Sequence, residues 1–141
     1  MKFVNYTVNL NGDTITVPLS GPCKCKVALV EISLAEIQSS TNDNAIDITC
    51  EQIDSTFDNP NRLLQRIAFT SLRPKQYYHT WTARFLQMNT VDSEDKFLSI
   101  KIKRTKDSTP LVLGERVRDY QVFFTLAFSD FDESENWTTY I

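Results

Sequence analysis

Hydrophobic and polar residues alternate one for one along several stretches of this chain, the period of a strand with one buried face. In the first stretch Val4, Tyr6, Val8 and Leu10 fall on one side, and Asn5, Thr7 and Asn9 on the other. The tight-turn tripeptide Asn11-Gly12-Asp13 follows, after which Ile15, Val17 and Leu19 alternate with Thr14, Thr16 and Pro18. These two runs and their turn predict a hairpin. Pro18 lacks the N–H that a ladder needs, so it marks a strand end or an edge. The run "FLSIKIKR" places Leu98, Ile100 and Ile102 inside and Lys101 and Lys103 outside. In "DYQVFFTLAF", Tyr120, Val122, Phe124, Leu126 and Phe128 share a face, opposite Asp119, Gln121, Phe123, Thr125 and Ala127. Joined by a polar turn and a short apolar run, Phe97–Leu113 and Arg118–Phe128 predict a second hairpin.

Between these ends the pattern is mixed. "CKVALVEISL" is apolar on both faces from Val27 to Val30, which fits a strand covered on both sides or a subunit contact. A helix over Val27, Val30, Leu34 and Ile37 competes with that reading. "AIDITCEQI" alternates again, with Ile46, Ile48 and Cys50 against Asp47, Thr49 and Glu51. Ser39–Asn44 and Asp54–Asn61 read as loops by composition. "RLLQRIAFTSL" fits a strand through Leu63, Gln65, Ile67 and Phe69, or a helical turn followed by a strand. "YYHTWTARFLQMNT" is rich in aromatic and β-branched residues and favours strand. Eight strand candidates without a long helix predict an all-β chain: an eight-stranded antiparallel β-sandwich, a single jelly roll. An immunoglobulin-like sandwich is the nearest alternative, but Trp81 follows all three cysteines, so the Cys–Trp–Cys order is absent.

A chain of 141 residues is one domain with room for a real core, here residues 1–141 with an acidic C-terminal tail over 129–141. No apolar run approaches the roughly 18 residues of a membrane span. The alternating start is unlike a signal peptide. Three cysteines, an odd number, suit a reducing intracellular compartment. The net charge of -3 argues against a general nucleic-acid binder.

Chemistry is scarce. His79 is the one histidine, so the histidine-rich metal sites of double-stranded β-helix enzymes are excluded. A zinc set of Cys23, Cys25, Cys50 and His79 has the right number of ligands but an unusual spacing across three elements. No nucleophile elbow or phosphate loop occurs. Asp130, Asp132, Glu133 and Glu135 do not follow the spacing of a calcium loop. The expectation is no catalytic residue, no metal and no cofactor. Lys101, Lys103, Arg104 and Lys106 form a basic outer face, which keeps a strand soluble or meets an acidic partner. The surplus is apolar surface. Phe123 breaks the polar side of its strand, Val27 and Leu29 lie opposite the expected core face, and Tyr77, Tyr78 and Trp81 cluster. These six are the interface candidates.

The segment "FLSIKIKRTKDSTPLVLGERVRDYQVFFTLAF" resembles the end of the single jelly-roll minor capsid (penton) proteins of polintons, virophages and polinton-like viruses. The features that correspond are "LSIKIKR", the turn "TKDSTP", the short apolar "LVL", the charged or glycine "GER" and the closing "VFFTLAF". Upstream, "NRLLQRIAF" and "YYHTWTARFLQMNT" are similar to strands of the same proteins, so the likeness runs from about Asn61 to Phe128. The family's Asp-x-x-Gly turn reads "KDST" here, and the chain is short for a penton protein, which leaves room for a cement or spike component. The resemblance implies a virion structural protein that is not an enzyme. Its partners would be copies of itself, most simply five, and other capsid proteins. The alternative function is a lectin-like or cytokine-like jelly roll that binds a glycan or receptor, with Tyr77, Tyr78 and Trp81 as its aromatic platform.

Overall fold

The alternating runs become strands in a computed structural model, which describes residues 2–10, 14–34, 45–68, 77–80, 87–105 and 120–131. In chain order the strands are β1 (Lys2–Leu10), β2 (Thr14–Pro18), β3 (Cys23–Leu34), β4 (Ala45–Cys50), β5 (Leu63–Ala68), β6 (Tyr77–Thr80), β7 (Asn89–Ser93), β8 (Phe97–Arg104) and β9 (Tyr120–Ser129). One sheet runs β1-β9-β3, and β6 and β7 then share the far side of β3. β6 pairs with Glu31–Leu34 and β7 with Cys23–Val27. The nine strands of the described residues therefore fill eight positions. The other sheet runs β2-β8-β4-β5, and all pairings are antiparallel. Two facing four-position sheets with this order form a jelly roll.

Neither expected hairpin forms. β1 pairs with β9 in the register Val4↔Leu126, and β2 pairs with β8 in the register Ile15↔Ile100. Consecutive strands cross from one sheet to the other, except that β4 and β5 are hydrogen-bonded neighbours and β6 and β7 both pair with β3. A two-stranded hairpin would leave its apolar face open. Crossing to the facing sheet lets two apolar faces cover each other.

The predicted inward parity holds in β2, β4, β8 and β9. Ile15, Val17, Ile46, Ile48, Leu98, Ile100, Ile102, Val122, Phe124 and Leu126 are all buried between the sheets. Each such side chain contributes about 1.5–3 kcal/mol relative to an exposed one. Tyr6 stacks on Phe124 with ring centroids 5.3 Å apart. Val27 and Leu29 also face this core, each about 1% exposed, so they do not lie on the outer surface as their apolar neighbours had suggested. Ala28 is the residue that faces outward there, shielded with Ala127 by Val30 and Met88. A register shift between Leu29 and Glu31 then moves Ile32 back to the core. In β5 a similar shift, opposite Ile48 and Thr49, puts Leu64 in the core where Leu63 had been expected.

Candidate functional site

One end of the sandwich collects most of what is chemically unusual. The start of β1, the end of β9 and the connections β2–β3, β4–β5 and β7–β8 all meet there. Leu19 N–H donates to Lys96 C=O at 2.9 Å and Cys23 N–H to Asp95 C=O at 3.3 Å, tying two of these connections together. Five large hydrophobic side chains are exposed in the described residues: Phe3 (39%), Phe57 (100%), Phe97 (40%), Phe123 (49%) and Phe131 (45%). Four of the five sit at this end. Phe3 and Phe97 lie at the starts of β1 and β8, Phe131 follows β9, and Phe57 is in the β4–β5 connection. Solubility gives no reason to gather exposed rings in one place.

The β4–β5 connection, Glu51–Arg62, is built by its own side chains. Asn59 brackets the return of the chain, with Oδ1 accepting from Leu63 N–H and Nδ2 donating to Leu63 C=O, both at 2.8 Å. Asn59 N–H donates to Thr56 Oγ1 at 3.1 Å, and Ser55 Oγ donates to Pro60 C=O at 3.0 Å. Arg62 adopts a left-handed φ of 54°, which costs a non-glycine residue about 1–2 kcal/mol. Its Nε donates to Ile53 C=O at 3.1 Å, which holds that geometry. Ile53 in turn bridges to Val91 of β7. The loop is thus fastened to both sheets and projects Phe57 into solvent, with Asp54 and Asp58 exposed on either side of it.

On the other side of the same end lies a pocket of about 410 Å³. Val4, Leu19 and Phe128 supply apolar walls, and the connection Pro18–Pro22 forms its lip. Lys2 and Lys24 stand at its rim. Lys24 reaches Glu94 at 2.7 Å, whereas Lys2 makes no ion pair among the described residues. Tyr6, Cys23 and Cys25 also line it. The two thiols, two residues apart on one face of β3, have Sγ atoms 3.6 Å apart. Hydrogen bonding to Cys25 and burial raise the Cys23 pKa, while the same bond lowers that of Cys25. Cys50 lies apart from the pocket lining, and burial pushes its thiol up to about 11. No group of three or more His, Cys, Asp or Glu is placed to hold a metal among the described residues.

The remaining sequence candidates are scattered. Phe123 stands on the outer face of β9 between Thr7 and Ser33. Tyr77 and Tyr78 open β6 opposite Leu34 and Ser33. Trp81 and Lys106 lie outside the described residues. Lys101 and Lys103 are half-buried on the outer face of β8, and Arg104 ends that strand opposite Ile46. Lys101 Nζ pairs with Glu51 at 3.1 Å. Asp47, opposite Lys103, accepts from Arg66 Nε at 2.6 Å, from Arg66 Nη2 at 3.0 Å and from Thr105 Oγ1 at 2.6 Å. Burial works against the Asp47 carboxylate, but these hydrogen bonds and the nearby charges of Arg66 and Lys103 lower its pKa overall.

Sequence reasoning passed over Phe3, Phe57, Phe97 and Phe131. The signal was parity and context. Phe3 and Phe97 each precede the inward series of their strands, and Phe57 interrupts the wholly polar "DSTFDNPN". Searched against protein families and against curated proteins, the chain matches none. No helix of the described residues is long and apolar enough to cross a membrane.

Proposed function

We propose that this chain is a virion structural protein, a single jelly-roll subunit of the minor-capsid kind that assembles with copies of itself by protein–protein contacts. The observation that carries the reading is the set of exposed phenylalanines at one end of the sandwich. Aromatic anchors in a polar surround are the composition of an association surface. Phe123, on the outer face of the β1-β9-β3 sheet, gives a second point of contact. In a penton role five copies close a ring around an axis, and other capsid proteins pack at its perimeter. The basic row on β8 plays no part in this, since Glu51 and Asp47 already face Lys101 and Lys103.

The test is the mass of the purified chain in solution by light scattering over a wide concentration range, with electron microscopy of the largest species. A closed oligomer supports the reading, and five-fold rings support the penton role in particular. A monomer at every concentration, alone and with candidate capsid partners, overturns it. Saturable binding to an immobilised glycan by such a monomer would favour a lectin-like module.

A further inference from the structure

We propose that Phe57 of one copy inserts into the Val4–Leu19–Phe128 pocket of a second copy, so that the β4–β5 loop and the end pocket are the two halves of one self-association contact. This rests on the reading that the chain assembles with itself, and it names the surfaces that would do so.

Three features make the halves fit. The first is shape. Phe57 is fully exposed midway along a loop that its own hydrogen bonds order. It is not among the residues lining the pocket of its own chain. A dry cavity of roughly 150 Å³ holds a benzene molecule. The pocket of about 410 Å³ is open to solvent and lined by polar as well as apolar groups, and it has room for a phenyl ring. The second is charge. Asp54 and Asp58, both exposed, lie on either side of Phe57 in the sequence, and Lys2 lines the pocket with no ion pair among the described residues, whereas Lys24 is already held by Glu94 and Asp92. Docking would give the exposed Lys2 an acidic neighbour, and complementary rims set register and speed encounter. The third is placement. The loop is fastened to β7 through Ile53, whereas β1 contributes Lys2, Val4 and Tyr6 to the pocket. β1 and β7 lie on opposite edges of the same sheet. Donor and acceptor surfaces on different sides of one end allow each copy to give a ring and receive one, the condition for a head-to-tail contact.

The loop is also prepared for such a role. A segment already ordered before docking loses little conformational entropy on binding. One aromatic ring buries about 150–250 Å², well short of the roughly 800 Å² per partner of a standard interface. Phe57 is accordingly the anchor, and the neighbouring exposed rings of Phe3, Phe97 and Phe131 enlarge the contact around it.

The test is complementation between variants that each spoil one half. Phe57→Asp alters a fully exposed side chain and keeps the pocket intact. Lys2→Glu, also at an exposed position, keeps the loop intact, and Leu19→Asp blocks the pocket wall. Each purified variant is checked by thermal melt and then measured by sedimentation equilibrium. Phe57→Asp should weaken self-association about thirtyfold or more, as for a central aromatic anchor. Mixing Phe57→Asp with Leu19→Asp should restore one good contact per pair and yield mixed dimers that neither variant forms alone. If Leu19→Asp does not fold, Lys2→Glu takes its place, and its weakened association should recover when Asp58→Lys is added. Wild-type oligomers that Phe57→Asp leaves unchanged would overturn the contact while sparing the assembly reading. Loss of association without rescue on mixing would also overturn it, because the ring would then seat elsewhere. A wild-type chain that is monomeric throughout would remove both, leaving the loop for a different protein.

Discussion

The outer face of the β2-β8-β4-β5 sheet and the loop end of the sandwich are both unusual surfaces, yet they are finished differently. On the sheet face, charge is answered locally: Arg66 and Thr105 converge on Asp47, and Lys101 reaches Glu51. At the loop end, phenylalanine rings stand exposed and a lined pocket stays open. A surface whose groups satisfy one another within the chain belongs to folding. A surface whose groups find no such match is available for recognition. Substitutions on the sheet face should therefore register as stability, and those among the exposed rings as assembly.

Four measurements break or sharpen that contrast. The largest effect is expected beneath the sheet face, where Ile100→Ala or Ile102→Ala should cost about 2–5 kcal/mol in a denaturant melt, from lost transfer energy and the cavity left behind. Asp47→Asn comes next. It removes the acceptor shared by Arg66 and Thr105, and should cost about 1 kcal/mol near neutral pH. Its pH signature is more telling. Asp47 is held below the usual carboxylate range, so its stabilisation is present above the unfolded pKa and is lost as pH falls through the folded one. Wild type and Asp47→Asn should thus converge in stability below about pH 4. Parallel curves down to pH 2 would show that the carboxylate is not held by its neighbours. Lys101→Ala should change stability by no more than about 0.5 kcal/mol, because its pair with Glu51 is largely open to solvent. A melt as damaged as that of Ile100→Ala would mean that the two faces of β8 are reversed. The smallest stability change belongs to Phe123→Asp, which should leave the melt almost unmoved while lowering the mass seen by light scattering. A large loss of stability there would place Phe123 among the folding residues and erase the contrast.

Which face of β2, β4, β8 and β9 is buried was legible; which strand lies beside each was not. Alternation marks Ile15, Val17, Ile100, Ile102, Val122, Phe124 and Leu126 without ambiguity, because side chains change face at every residue. The same alternation is blind to sheet assignment. A tight-turn composition such as Asn-Gly-Asp says that the chain reverses, but a reversal within a sheet and a crossing to the facing sheet use the same residues. That is why β1 and β2, and β8 and β9, looked like hairpins. Val27 and Leu29 show a second limit. Where small Ala28 is covered by Val30 and Met88, both faces of β3 are apolar, and the register shift after Leu29 changes the parity partway along the strand. The loop end was harder still, since Phe57 in a polar loop has no periodicity to betray it. The pocket combines residues from three separate stretches of chain, which only the fold brings together.

The pairing of β1 with β9 also governs when the fold can exist at all. On a ribosome adding about 5–20 residues per second, β1 emerges roughly 5–25 seconds before the strand it must pair with. During that interval Val4, Tyr6 and Val8 have no native sheet to join. β9 is also central, lying between β1 and β3, so the sheet that contains it cannot close piecemeal. Folding is expected to wait for β9, to be dominated by long-range pairing and to be slow, in milliseconds to seconds. A nascent chain stalled before Tyr120 should remain protease-sensitive, and addition of the ten-residue β9 should confer protection in a single step.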